Sequence, residues 1–383
     1  MKSKSIFLII IIAFSLNIAL YSEPTYEYDG GYLEPNRFLD LNNDKDLNFE
    51  FSATSFLKND EYFNKFSQGT TAFGFFTEPK ISYFITPRTK ISGGVFLQKF
   101  FGRNEFTTVV PVFTIQHKIN DNCDVILGRL YGTKSHQLEE PLFSTDRNIY
   151  NNLENGLQFI INTSHIKSDI WVNWERFILK GDPYQEEFTF GTSSVFNFLN
   201  GGNTDIEIPL QTLITHKGGQ IDQSPLPIQT MLNAMSGLVT KQFWLYRNSL
   251  TCDLLGFYYK GLSMPDYPQP NSQIYKEGWA LYGKLKYQYK DLEVTTGFWY
   301  ANKFIAPRGE ALFQCVSQID TAYSQEIRRL ITAKVKYNAM IGNQFRMNLI
   351  GQYYWDYENS IHDFSLGFYL SVDEKFLLKK FKE

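Results

Sequence analysis

Along most of this chain apolar and polar side chains take turns over stretches of roughly ten residues. Phe188, Phe190, Phe196 and Phe198 interleave with Thr189, Gly191, Ser193 and Asn197, and Leu47, Phe49, Phe51 and Ala53 with Asn48, Glu50, Ser52 and Thr54. A side-chain period of two puts successive residues on opposite faces of a strand. Turn formers close the stretches in pairs: Thr86-Pro87-Arg88, Asn120-Asp121-Asn122, Asn162-Thr163-Ser164, Asn200-Gly201-Gly202-Asn203, Arg247-Asn248-Ser249, Lys290-Asp291 and Ile341-Gly342-Asn343. Gly, Asn and Asp tolerate positive φ there, and Pro presets its own. Between the pairs run longer connections at about 58–70, 102–105, 133–152, 179–187, 217–237, 262–275, 304–327 and 357–361.

Short and long connections alternate strictly, which gives sixteen strands from 47–57 to 361–373 and returns both ends to one side. Without the hairpin of 238–246 and 250–261 the count is fourteen. The expected fold is all-β: an antiparallel transmembrane β-barrel with short periplasmic turns and long extracellular loops. A soluble sandwich is the alternative, with polar outward faces. Against it stand large aromatic faces such as Trp279, Leu281, Leu285, Tyr287 and Tyr289, or Phe345, Met347, Leu349, Tyr353 and Trp355. Aromatic girdles at two membrane interfaces explain that placement.

The start of the chain supplies the compartment. Lys2 and Lys4 precede an apolar run from Ile6 to Leu20, and small or polar residues follow. That is a secretory signal over 1–22, with cleavage near Ser22; the alternative, an N-terminal anchor, wants about 20 apolar residues. The expected organisation is then an irregular lead-in over 23–46, a barrel over 47–373 and a basic tail over 374–383, in a bacterial outer membrane. Cys123, Cys252 and Cys315 are odd in number and far apart, so neither a disulfide framework nor a metal site is expected. A net charge of −3 without a basic cluster argues against nucleic acid.

The face opposite the membrane lines the lumen. There Glu154, Glu175, Asp205 and Glu207 fall on one side of the ring, and Lys284, Lys286, Lys334, Lys336 and Arg346 on the other. Opposed charged walls favour polar solutes, although a lumen is polar in any case and Glu293 interrupts the basic side. A plug is a further expectation: after Pro225 and Pro227, residues Ile228, Met231, Leu232, Met235 and Leu238 recur at helical spacing. The helix either folds inward or caps the barrel from outside.

Candidate chemistry is sparse. The loop at 133–152 carries His136, Glu139, Glu140, Asp146 and Arg147, and Asp182 stands near Glu186 and Glu187, but the spacing is not that of a calcium loop. Of the histidines, His117 and His165 approach turns, while His136, His216 and His362 lie toward the loops without a nucleophile motif. The chain is therefore read as neither an enzyme nor a cofactor protein. Convergence of His136 or His216 with a Ser or Asp at hydrogen-bond range would count in favour of a catalytic barrel.

By signal, alternation and loop asymmetry over 47–373 the chain resembles the bacterial outer-membrane β-barrel class. The block from Gly128 to Gly191, with RLYG, EEPLF, NNLENGLQF, WVNWERF and GDPYQEEF, is similar to a stretch of uncharacterised outer-membrane proteins. The resemblance implies outer-membrane lipid, lipopolysaccharide and the barrel-assembly machinery as partners. It departs at the end, where the tail from Glu374 to Glu383 replaces a terminal aromatic, and Phe364, Leu366, Phe368 and Leu370 take that place internally. The expected function is a porin-like channel for small polar solutes, since a barrel of this size encloses an aqueous lumen. The alternative is a loop-sealed barrel acting as receptor, adhesin or structural protein.

Overall fold

The computed structural model describes residues 38–132, 135–199, 202–219, 221–244, 248–342 and 344–381; the expected signal and most of the lead-in lie outside them. Sixteen strands form one closed antiparallel barrel in which each strand pairs with its chain neighbours and the last pairs with the first. They are β1 (Asp46–Glu61), β2 (Thr71–Thr86), β3 (Thr89–Phe100), β4 (Thr108–Asn120), β5 (Cys123–Arg129), β6 (Asn155–Asn162), β7 (Ile166–Arg176) and β8 (Glu187–Leu199). The ring continues with β9 (Thr204–Lys217), β10 (Gln229–Trp244), β11 (Asn248–Ser263), β12 (Glu277–Tyr289), β13 (Leu292–Asn302), β14 (Ile327–Ile341), β15 (Phe345–Asp356) and β16 (Ile361–Lys380).

The alternation in sequence becomes an inside and an outside. Along β11, Ser249, Thr251, Asp253, Leu255, Phe257 and Tyr259 are buried, while Leu254 and Tyr258 between them and Leu262 beyond them are exposed. The same outward exposure of large apolar groups recurs at Phe73, Val109, Phe113, Leu127, Leu281, Leu285, Phe298 and Leu366. A continuous apolar outer band is what a bilayer requires, and closure leaves no edge strand with unpaired backbone groups.

Two expected segments fold differently, for the same reason. The residues expected as a basic tail continue β16 to Lys380, pairing Glu374 with Phe51, Phe376 with Phe49 and Lys380 with Asp46. Without them the first half of β1 would face the membrane region with unmet N–H and C=O groups. The expected helix over Ile228–Leu238 is the start of β10. Here Met231 and Met235 point inward and Thr230 and Leu232 outward, so the helical spacing is split between two faces. Gln229 pairs with Lys217 of β9 and Thr230 with Ser263 of β11, partners that a helix would leave unpaired.

The lumen is occupied by other segments. The connection from β5 to β6 (130–154), with one helical turn α1 (Arg147–Tyr150), and that from β13 to β14 (303–326), with a 3-10 turn at Ala311–Phe313, fold inward. Leu142, Phe143, Phe304, Ile305, Leu312 and Phe313 from these loops pack against Ile126, Trp171, Met231, Met235, Phe257, Tyr282, Trp299 and Tyr354 of the wall. A second cluster joins Ile149 of α1 to Phe56, Ala72, Ile350 and Tyr369 on the strands around the barrel seam. Hydrogen bonds fix the second loop: Trp299 Nε1 donates to the Phe313 carbonyl at 3.0 Å, and Asn233 Nδ2 to that of Ile305 at 2.7 Å.

Candidate functional site

All nine charged residues expected on the lumen side alternate in register with buried positions on the inner face. They meet the chain itself. Glu154 faces His136, Glu175 reaches Arg308 at 2.8 Å, and Lys336 reaches Glu293 at 3.1 Å. Lys284 holds Glu139 at 2.7 Å and Lys334 holds Glu140 at 3.3 Å, both glutamates belonging to the inward loop. Asp205 lies across from Lys241, Glu207 across from Val239, Lys286 across from Thr251 and Thr295, and Arg346 across from Met340 and Ser371.

His136 converges with an aspartate, as expected of a candidate, and with a glutamate as well. Its Nε2 lies 2.8 Å from Glu154 and its Nδ1 3.0 Å from Asp169, and the ring stacks on Trp171 with centroids 3.5 Å apart. Burial alone would push the imidazole pKa down, but Glu154 and then Asp169 outweigh it and hold it up at about 9. A charged, fully enclosed imidazole between two carboxylates anchors a loop. The residue is 1% exposed.

His216 is placed differently. It closes β9 on the outward face at the loop end, opposite Thr230 of β10 on one side and Phe188 of β8 on the other. Its Nε2 lies 2.9 Å from the carbonyl oxygen of Gly218, which can only accept, so Nε2 carries the proton. Nδ1 is then free to accept from the Thr230 hydroxyl at 2.8 Å. A hydroxyl, a basic nitrogen and a carbonyl that orients the ring make an activated nucleophile. Phe188 stacks on the imidazole at 4.8 Å and Trp174 on Phe188 at 5.3 Å, continuing an aromatic row along the outer rim.

Beside the pair opens a pocket of about 470 Å³ lined by Ile178, Glu186, His216, Gly218, Gly219, Ile221 and Ile228. Gly218 is needed there: its φ is +125°, and a Cβ would come within 2.8 Å of Ile228. The N–H of Gly218 donates to the Glu186 carbonyl and that of Gly219 to Asp222 Oδ2, so neither adds a donor to the pair. Thr230 escaped the sequence reading because it was placed in a helix. Read as a strand, 229–244 would have set it opposite His216.

Two other histidines have hydroxyl partners in less suitable places. His117 meets Thr89 at 2.9 Å at the turn end. His362 meets Tyr353 at 2.7 Å within the outer aromatic belt, while its neighbour Asp363 points inward and accepts from the Phe63 N–H. Among the described residues no three His, Cys, Asp or Glu side chains gather into a group suited to a metal ion.

A closed sixteen-strand wall with an apolar exterior and a histidine–hydroxyl pair at its loop-end rim defines the class: an outer-membrane-type β-barrel. The family model described as lipid A 3′-O-deacylase-type matches residues 39–381, and the chain belongs to that family. This overturns the expectation that the chain is not an enzyme. Among solved structures it is similar to OccK8 (OprE) of Pseudomonas aeruginosa, at TM-score 0.50 and 11% identity, covering 88% of this chain and 99% of that one. It is also similar to OprD of the same organism (TM-score 0.49, 8% identity, 87% and 95% covered). A BenF-like porin from Pseudomonas fluorescens Pf-5 is a third (TM-score 0.49, 8% identity, 87% and 100% covered). At such identity the likeness is one of fold, a porin-like barrel. No curated protein matches the chain.

Proposed function

We propose that the protein is an acyl-ester hydrolase of the outer leaflet of the bacterial outer membrane, acting on the 3′-O-linked acyl group of lipid A, with Thr230 as nucleophile and His216 as base. One observation carries the reading: the Thr230 hydroxyl donates to a correctly oriented His216 on the lipid-facing wall, beside an open pocket. The family match supports the substrate class. The outward position supports a substrate that lies in the bilayer, since such a molecule reaches the rim without leaving the membrane.

As the Thr230 oxygen attacks the ester carbonyl, its proton passes to His216 Nδ1. Collapse of the tetrahedral intermediate breaks the bond to the sugar oxygen, which takes that proton and leaves as an alcohol. Water, activated in turn by Nδ1, then frees the fatty acid and restores Thr230. The Gly218 carbonyl keeps the ring oriented and stabilises the transient imidazolium. General base assistance of this kind contributes roughly 10²–10⁴-fold. The pocket isoleucines, Ile178, Ile221 and Ile228, offer apolar surface for the departing chain.

The test is to express the chain in a bacterium whose lipid A retains its 3′-O-acyl group and to analyse extracted lipid A by mass spectrometry. Loss of one acyl chain with the wild type, and its retention with Thr230→Ala or His216→Ala folded to the same level, supports the reading. Intact lipid A with all three refutes it. Passage of small polar solutes, which the strand number suggests, is proposed only for a state in which the connections 130–154 and 303–326 leave the lumen.

A further inference from the structure

We infer that the basic inner wall of β12 and β14 is an anion-binding site for a small dicarboxylate, which the chain's own loop occupies through Glu139 and Glu140. The inference is independent of the hydrolytic reading, because this site is inside the barrel and Thr230 is outside it.

The wall groups converge on the two loop carboxylates. Lys284 Nζ donates to both oxygens of Glu139, at 2.8 and 2.7 Å. Glu140 receives three wall donors: Tyr354 OH at 2.6 Å and Gln352 Nε2 at 2.9 Å on Oε1, and Lys334 Nζ at 3.3 Å on Oε2. Three strands, β12, β14 and β15, thus supply a lysine, another lysine, and an amide with a phenol. Lys286 lies across Thr295 from Lys334, and Lys336 pairs with Glu293, both one step nearer the turn end.

The charges balance only when the loop is counted. Near the two loop carboxylates the wall holds four lysines, Lys284, Lys286, Lys334 and Lys336, with Arg346 lying further toward the turn end, against two carboxylates, Asp253 beside Lys284 and Glu293 beside Lys336. Four less two leaves two positive charges, and the loop brings two negative ones. Removing charged groups from water is tolerated only when each finds a partner. The wall by itself is therefore a receptor built for two adjacent carboxylates, and the loop is its internal ligand.

The loop presents the pair rigidly. The Glu139 N–H donates to Gln211 Oε1 at 2.9 Å, Gln211 Nε2 donates back to the Gln137 carbonyl at 3.0 Å, and the Glu140 carbonyl accepts from the Glu310 N–H at 3.0 Å. A dicarboxylate entering from the turn end would meet Lys286 and Lys336 first and then compete with Glu139 and Glu140. The loop is thus an autoinhibitory occupant.

The experiment uses the full barrel in detergent, with folding checked by heat-modifiable gel mobility, and succinate as probe in isothermal titration calorimetry at low salt. The double variant Glu139→Gln with Glu140→Gln should bind succinate at least tenfold more tightly than the wild type, and adding Lys334→Gln should remove that gain. A folded double variant that binds no better than the wild type overturns the inference, as does a gain that survives Lys334→Gln. Should the double variant fail to fold, Glu140→Gln alone is held to the same two criteria. Deacylation of lipid A by these variants is expected to equal that of the wild type, which separates failure here from failure of the hydrolytic reading.

Discussion

The imidazole of His136 lies flat on the indole of Trp171, 3.5 Å between ring centroids and 6° between planes, while Glu154 and Asp169 grip its two nitrogens. A loop residue is thereby bound to Glu154, which leads into β6, and to β7 through Asp169 and Trp171. The seal of this barrel is held by charge as well as by apolar packing.

That arrangement has a pH signature. With its folded pKa raised from 6.5 to about 9, His136 contributes stability that is fully present below pH 6.5 and is lost as pH rises through about 9. The contribution is at most roughly 3 kcal/mol. Proteolysis of the 130–154 connection should accelerate between pH 7 and pH 10. His136→Phe, which keeps the stack but removes the cation between two buried carboxylates, should show the fast rate at every pH.

Glu310 adds a second, lower window. Burial and then the nearby Asp146 raise its carboxyl from 4.5 to about 7 against the opposing pull of Lys58, while Ser144 Oγ donates to it at 2.7 Å. Its stabilising effect is complete below pH 4.5 and is lost as pH rises through about 7. Glu310→Gln should flatten the melting temperature across that interval and leave the alkaline fall from His136 in place.

Arg328 anchors the other loop. It pairs with Asp356, donates through Nη2 to the Leu312 carbonyl at 2.8 Å and lies 3.7 Å above the Phe66 ring. Arg328→Met strands a buried carboxylate and should cost about 3–5 kcal/mol. It should also open the 303–326 connection to trypsin at Arg308. The double change Arg328→Met with Asp356→Leu should cost clearly less than the single one in the same melting experiment.

How much of this was legible in the sequence depends on what alternation can and cannot encode. Strand number follows from the alternation of short and long connections, and the inward direction of residues such as Lys284 and Glu175 from a period of two, because the pleat admits no other facing. The extent of β10 and β16 did not follow, since Met231, Leu232 and Met235 satisfy a helical spacing as well as a strand. What decides between them is the demand of β9 and β11 for backbone partners, a property of the closed ring. The inward fold of Glu139 and Glu140 was hidden for a related reason. Their partners, Lys284 and Lys334, lie more than a hundred residues away, and nothing local marks a loop as an internal ligand. His216 was visible as a candidate; Thr230 was obscured by the helix assignment.

The orientation of His216 rests on Gly218, which sits at a positive φ and whose carbonyl oxygen meets Nε2. Gly218→Ala is strained there and drives its methyl into Ile228. A fall of about tenfold or more in deacylation is expected from disturbed positioning. The barrel's melting temperature should stay near that of the wild type, because the residue lies in a loop.

The central claim is that Thr230, on the membrane-facing wall, is the nucleophile. Its most direct measurement is the release of fatty acid from lipid A in mixed micelles by the purified barrel, comparing wild type, Thr230→Ser and Thr230→Ala. Retained activity in Thr230→Ser with a loss of about a hundredfold or more in Thr230→Ala is the predicted result. Thr230→Ala working as fast as the wild type would contradict the account.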